Sequence, residues 1–355
     1  MTLTIRSRSH DYSVEEASHL AEAVARVSAC GPVFALVDDF ARGPAHVAAF
    51  AGIPPENIHW IKADEAAKSF DQIAPIMVWL LERGFRRDAI LLAVGGGVVQ
   101  DIACFIATVM LRGVKWHLIP TTLLAQCDSC IGSKSSINIG RFKNQVGTFY
   151  PPNSISLVPA VLAGLPREER VSGLGEAIKL HLIAGPEKWA WLLDRLGAFD
   201  QPDFQLGPII WSCLEIKKPF IEEDEFDRGR RNLLNYGHTF GHAYESATAY
   251  AIPHGIAVTL GILTATHISE RIGWLPQGQY REMLSLLTPF FAPYQTLIKG
   301  AELDKITGAM KWDKKNTGGR IHCILTRGPG KMEKTDAIPP EDLARHMGSF
   351  LETLP

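Results

Sequence analysis

The sequence predicts an α/β protein: an N-terminal Rossmann-like, doubly wound parallel-sheet domain followed by a mostly α-helical domain. Three observations carry that expectation. Four short apolar runs bounded by polar, Gly or Pro residues, at 33–39 (VFALVDD), 57–63 (NIHWIKA), 89–94 (AILLAV) and 114–120 (VKWHLIP), read as strands buried on both faces. Amphipathic stretches alternate with them, and strands alternating with helices imply a parallel sheet. Beyond about Leu157 the strand signal fades into helical patterning, interrupted at Pro186, Pro202, Pro253, Pro276 and Pro339. The expected domains are 1–160, an α/β nucleotide-binding domain, and 161–355, a helical domain.

Taken in order, residues 1–14 (MTLTIRSRSHDYSV) resemble an opening strand, and 14–27 an amphipathic helix. Residues 68–83 follow helical period, with Phe70, Ile73, Ile76, Trp79 and Leu80 apolar. A further helix is expected over 98–111, and 320–326 (RIHCILT) is the main strand-like piece of the second half. The length of 355 residues suits two cores, and 46% hydrophobic with 21% charged residues is ordinary for a globular chain. Lys plus Arg number 36 against 38 Asp plus Glu, a balance that gives no broad footprint for nucleic acid or an acidic membrane. No apolar run reaches the roughly 18 residues of a membrane span. The start lacks the apolar core of a signal peptide, so the expected compartment is cytoplasmic. Six scattered cysteines fit reduced thiols. Cys127 and Cys130 form a lone C-x-x-C without the second pair that a structural zinc site needs, and are expected to be plain buried thiols.

Three constellations carry chemistry. Gly95, Gly96 and Gly97 follow a strand and open a helix that includes Asp101. Such a turn lets main chain approach a diphosphate, whose charge the exposed N–H groups at the helix start favour. It is not the spaced G-x-G-x-x-G fingerprint. Thr121 and Thr122 follow the next strand and offer hydroxyls at the same sheet edge. The second constellation is His238 and His242, four apart on one helical face, with His254 just beyond Pro253. Thr239 follows His238, so this is not the H-E-x-x-H of zinc peptidases. Glu176 and Lys179 lie three apart on another helix. Two or three histidines with a carboxylate suit zinc or a similar divalent ion that keeps a position open for substrate. The third is a set of cations and amides: Asp128, Lys134, Asn138, Lys143 and Asn144 in one loop-rich stretch, then Lys217, Arg231 and Asn235, then Lys314 and Lys315. Among these Arg231 could grip a carboxylate or phosphate bidentately.

The tracts GGGVVQD (95–101), LRG (111–113), PTTLLAQCDS (120–129), KNQVGTFYPP (143–152), GLGEAIK (173–179), RNLLNYGHTFGHAYE (231–245), HGIAVTLG (254–261) and DKKN (313–316) occur in that order over most of the chain. Together they resemble the 3-dehydroquinate synthase family of sugar phosphate cyclases. The resemblance implies a metal, Zn2+ or Co2+, held by Glu176, His238 and His254. It implies NAD on Gly95, Gly96, Gly97 and Asp101, with Asp39, Glu65, Lys68, Thr121 and Thr122 around its ribose and adenosine ends. Substrate phosphate would meet Lys134, Asn144, His242, a lysine of the 314/315 pair, and Arg112 from the partner subunit of a homodimer. Asp128, Lys179 and Asn235 would handle substrate hydroxyls, and Lys217 and Arg231 a substrate carboxylate. The implied reaction converts 3-deoxy-arabino-heptulosonate 7-phosphate to 3-dehydroquinate by transient oxidation, phosphate elimination, re-reduction and intramolecular aldol closure.

Departures bear on the substrate. The family usually has G-K-T-G-V-N where this chain has Ser133-Lys134-Ser135-Ser136-Ile137-Asn138, Gln100 replaces a common glycine, and Cys127 and Cys130 flank Asp128. Related cyclases act on sedoheptulose 7-phosphate or glucose 6-phosphate, which carry no carboxylate. A metal-dependent polyol dehydrogenase would share the architecture but accumulate NADH. A non-catalytic scaffold would bind neither metal nor NAD.

Overall fold

Three of the four apolar runs of the first half become interior strands of a seven-stranded sheet, whereas the run at 57–63, expected to be buried on both faces, forms an edge strand with only Ile61 buried. The computed structural model describes residues 1–140, 142–311 and 320–355. They form two compact units, 1–166 with Lys217–Asp227, and 167–216 with Arg228–Pro355. The expected single boundary near residue 160 omits the return of Lys217–Asp227 to the first unit. Long-range hydrogen bonds hold that return: the Glu222 and Glu225 carboxylates each accept a main-chain N–H from the N-terminal segment, Arg6 and Arg8, at 2.8 Å.

In the first unit, β1 (Thr2–Ile5), β2 (Tyr12–Glu16), β3 (Val33–Asp38), β4 (Ile58–Ile61), β5 (Ile90–Gly95), β6 (Trp116–Pro120) and β9 (Ser154–Leu157) pair in the order β1-β2-β9-β6-β5-β3-β4. All neighbours are parallel except β1 on β2. A separate hairpin joins β7 (Ile137–Ile139) to β8 (Phe142–Val146). Every residue of β5 is buried, as a strand covered on both faces requires. Helices α1 (Leu20–Ser28), α2 (Phe70–Glu82) and α3 (Gly97–Val109) complete this unit. The helix expected over 14–27 starts late. Tyr12 and Val14 are buried in alternation with more exposed neighbours and pair with β1 and β9, so sheet pairing claims residues 12–16 and the helix begins only after the His19 cap. Among the described residues no helix is long and apolar enough to cross a membrane.

The second unit is helical: α4 (Arg167–Ala184), α5 (Pro186–Leu196), α6 (Gly207–Glu223, whose end belongs to the first unit), α7 (His238–Ala247), α8 (His254–Arg271), α9 (Gln279–Phe291), α10 (Gln295–Lys299), α11 (Leu303–Lys311) and α12 (Pro340–Thr353). One hairpin, β10 (Cys323–Thr326) with β11 (Met332–Thr335), meets the expected strand at 320–326. Helix α8 is the axle, buried from Gly255 to Ser269 and packed on α4, α7, α9 and α12. Its contacts with α4 and α7 are main chain on main chain. A Cβ on Gly255 would lie 1.7 Å from the Ser172 carbonyl oxygen, and one on Gly175 2.0 Å from that of Gly255. A Cβ on Gly261 would lie 1.9 Å from the carbonyl oxygen of Gly237, the left-handed cap of α7.

Gly255→Ala should therefore cost about 3 kcal/mol or more, the upper end for overpacking, because two main chains must part. Gly308→Ala, in α11 with nothing within 4 Å of its new methyl, should be neutral or gain up to about 1 kcal/mol from helix propensity. Denaturant unfolding of both variants checks this; equal effects would contradict the close-contact account.

Candidate functional site

The first unit gathers its polar residues beyond the carboxyl ends of the strands, where open α/β sheets take ligands. Strand order reverses between β3 and β5, and the glycine turn sits at that point. Gly96 caps α3, and a Cβ there would meet Thr122 Cγ2 at 2.8 Å. The Thr121 N–H donates to the Gly95 carbonyl at 3.0 Å, so turn and threonine pair form one edge. Asp39 follows β3 and pairs with Arg42 at 2.8 Å.

Around Asp101 the structure builds a network that local sequence does not reveal. Lys68, 7% exposed, sets its Nζ 2.8 Å from Asp101 Oδ2 and 3.9 Å from Glu65 Oε1, and donates to Asn144 Oδ1 at 3.1 Å. Asn138 Nδ2 donates to Glu65 Oε1 at 2.7 Å, the Asn144 N–H to Asn138 Oδ1 at 2.9 Å, and the Ser136 N–H to Asp101 Oδ1 at 3.1 Å. Burial raises the Asp101 pKa, against the lowering pull of Lys68 and its hydrogen bonds. The network thus ties the β7–β8 hairpin, which carries Asn138 and Asn144, to Glu65, Lys68 and Asp101. A cleft of about 960 Å³ lies alongside, lined by Trp60, Asp64, Glu65, Asn138 and Lys143 among others.

Two further cations of this unit hold carboxylates. Lys217, 6% exposed, lies 2.5 Å from Asp128 Oδ1 and donates to the Asp128 carbonyl at 2.6 Å. Lys134 lies 2.5 Å from Asp227, a partner that sequence reasoning missed because the acidic run 222–227 reads as a solvated face. Arg112 stands elsewhere. Helix α3 runs back along the sheet at about 1.5 Å per residue, so Arg112, just past its end, emerges about 20 Å from the glycine turn, at the opposite edge. Cys127 and Cys130 are buried, and burial pushes the Cys130 thiol up to about 12, the inert thiol expected.

The second unit brings Glu176, Lys179, His238, His242 and His254 together. Each of the three presumptive ligands adjoins a glycine of the helix contacts: Glu176 follows Gly175, His254 precedes Gly255, and His238 follows Gly237. Glu176 is 1% exposed, and its Oε1 lies 3.2 Å from His254 Nε2 and 3.6 Å from His238 Nε2. Ligand atoms bound at 2.0–2.1 Å to a tetrahedral ion lie about 3.4 Å apart, so this donor set fits one zinc-like ion. Lys179 pairs with the other carboxylate oxygen. His238, His242 and His254 also offer nitrogens within 4.8 Å of one another, with His242 the exposed member. Burial opposes protonation of His254, but hydrogen bonds and charges of Glu176 and Glu245 outweigh it and raise the pKa to about 10; a divalent ion would take the place of that proton. Arg231 is buried at 4% exposure, and Asn235 Nδ2 donates to the Asn232 carbonyl at 3.0 Å. Lys314 and Lys315 lie outside the described residues.

Comparison with known proteins gives the family. Residues 58–172 match the 3-dehydroquinate synthase N-terminal model and 173–316 the C-terminal model. The 3-dehydroquinate synthase of Acidithiobacillus ferrooxidans is 38% identical over 295 residues, 82% of this chain and 80% of that protein. The chain belongs to the 3-dehydroquinate synthase family. Solved structures of this fold include a 2-deoxy-scyllo-inosose synthase complexed with carbaglucose-6-phosphate, NAD+ and Co2+, with TM-score 0.86 and 24% identity over 99% of both chains. A 2-epi-5-epi-valiolone synthase from Streptomyces hygroscopicus, with NAD+ and Zn2+ bound, has TM-score 0.83 and 24% identity over 96% of this chain and 97% of that one.

The Lys68–Asp101 pair gives a test of the network. Asp101→Ala, which leaves a buried ammonium facing Glu65 at 3.9 Å, should lower stability by about 3 kcal/mol. Replacing both, as Lys68→Met/Asp101→Leu, should restore most of that loss. Denaturant midpoints of the three proteins decide it; a double variant as unstable as the single would mean the pair is not the source of the effect.

Proposed function

We propose that this chain cyclises 3-deoxy-arabino-heptulosonate 7-phosphate to 3-dehydroquinate with release of phosphate, using NAD and a divalent ion, Zn2+ or Co2+. Membership of the family supports the reaction class. The single observation that carries the metal-assisted chemistry is the convergence of a buried carboxylate on two imidazole nitrogens at 3.2 and 3.6 Å.

When bound, NAD+ would accept one hydride from the substrate and later return it, and the ion would polarise the oxygen on the carbon being oxidised, so that phosphate loss carries no net oxidation. The chain's own residues would position and neutralise. Gly95, Gly96 and Gly97 would offer main-chain N–H groups to the dinucleotide phosphates. Asp39, Glu65, Lys68, Asp101, Thr121 and Thr122 would hold its ribose and adenosine ends. Lys179 and Asn235 would orient ring hydroxyls, and Asp128 would share that task while tied to Lys217. His242, exposed at the second turn of α7, would meet the substrate phosphate together with Lys134, Asn144 and a lysine of the 314/315 pair. The phosphate would thus be bound as it gains charge on leaving. Arg112, past the end of α3 and away from the glycine turn, would reach the site of a partner subunit in a homodimer, as the resemblance implies.

The substrate choice rests on Lys217 and Arg231. Both are buried cations, 6% and 4% exposed, and they are the residues that the resemblance gives to a substrate carboxylate. Sedoheptulose 7-phosphate and glucose 6-phosphate offer no carboxylate. A polyol dehydrogenase would have no use for the lysines around the phosphate.

The test is phosphate release by NAD- and zinc-loaded protein with each of the three sugar phosphates. Release from the heptulosonate alone, with no net NADH, is expected. Release only from a sugar without a carboxylate would move the substrate assignment, and net NADH from a polyol would overturn the cyclase reading. Arg231→Ala should raise KM for the heptulosonate about 10- to 100-fold, the worth of a hydrogen bond between charged groups.

A further inference from the structure

We propose that Glu245 is a positioning residue for the metal centre, holding His254 in the tautomer and orientation that present Nε2 to the ion. The inference rests on the metal reading above and assigns a role to a residue that the resemblance left without one.

The geometry is that of a relay through one imidazole. His254 Nε2 faces Glu176 Oε1 at 3.2 Å, while Nδ1 lies 3.2 Å from Glu245 Oε1 on the other side of the ring. An imidazole that ligates through Nε2 must carry its proton on Nδ1, and that N–H needs an acceptor. The Glu245 carboxylate, 12% exposed, is placed to accept it. His238 is served differently: its Nδ1 lies 3.3 Å from the Tyr236 carbonyl oxygen. Both imidazoles therefore have Nδ1 anchored and Nε2 turned toward the same carboxylate oxygen. One anchor is neutral main chain and the other is charged, and a charged acceptor makes its imidazole the stronger donor to a metal.

Position in the fold explains why Glu245 can do this. It lies two turns after His238 along α7, on the same face. The contact of Gly237 with Gly261 brings α7 against α8, whose first residue is His254. A bland alternative is that Glu245 merely links two helices. That role would lower the stability of metal-free protein and leave the metal affinity of folded protein unchanged.

The experiment measures zinc affinity by competition with a chelator, and the visible spectrum of the cobalt-loaded protein, for Glu245→Ala and Glu245→Gln. Thermal unfolding of the metal-free forms is recorded beside them. Glu245→Ala should weaken zinc about 10- to 100-fold, as loss of an outer-shell partner does, and alter the cobalt spectrum. Glu245→Gln, whose carbonyl can still accept from Nδ1–H, should lose less. Zinc affinity within roughly twofold of the parent in both variants, even with lowered unfolding midpoints, would overturn the proposal. If the alanine variant does not fold, the glutamine variant's affinity and cobalt spectrum decide alone. Zinc binding that depends on Glu245 in a protein releasing no phosphate would sink the cyclase reading and leave this one standing. An active parent whose zinc affinity ignores Glu245 would sink this one alone.

Discussion

The second unit depends on a contact that only glycine permits. Helix α8 meets α4 and α7 with main chain against main chain, so close that a methyl on Gly255, Gly175 or Gly261 would stand 1.7–2.0 Å from a carbonyl oxygen. The residues beside those glycines are the proposed metal ligands. Glu176, His254 and His238 are brought together by helix packing rather than by a mobile loop, and rigid elements hold a site more sharply than loops do. The arrangement also places a carboxylate in the interior at 1% exposure, which would be prohibitive without cations around it. Lys179 and the two imidazoles meet that demand in part, and the proposed divalent ion would meet the rest.

The first unit solves a different problem with a different device. Its sheet brings the glycine turn, the threonine pair and Asp39 to one edge. The Lys68–Asp101 pair and two asparagine side chains then fasten the β7–β8 hairpin to that edge. Asn144, expected among phosphate contacts, shares its Oδ1 with the same lysine that the resemblance gives to the cofactor. Glu65, Lys68, Asp101 and the hairpin asparagines therefore belong to one hydrogen-bonded set, and the divergent 133–137 segment leads directly into it.

Much of this was legible in the sequence, for identifiable reasons. Strands β3, β5 and β6 announced themselves because parallel strands covered on both faces are continuously apolar, whereas β4 is recognisable as a strand but lies at the sheet edge with only Ile61 buried. Strand β9 was invisible, since Ser154 and Ser156 break its apolar run although it sits between β2 and β6 at the heart of the sheet. Residues 14–16 read as the start of a helix, and only their pairing with β1 and β9 extends the strand through Glu16. The return of Lys217–Asp227 to the first unit could not be seen, as it is written in long-range bonds to Arg6 and Arg8. The histidines could be suspected from spacing, but Glu176 lies 62 residues before His238, and it was the resemblance that joined them. Glu245 had a signal that went unused: a carboxylate two helical turns from His238, on its face.

The central claim is that helix packing builds one divalent-ion site from Glu176, His238 and His254, with His242 left for substrate. The most direct measurement is anomalous diffraction at the zinc edge from crystals of the zinc-loaded protein. One ion bound by Glu176, His238 and His254, with the His242 ring outside its coordination sphere, is the expected result. An ion held by His238, His242 and His254 without Glu176, or none in the second unit, would contradict the account.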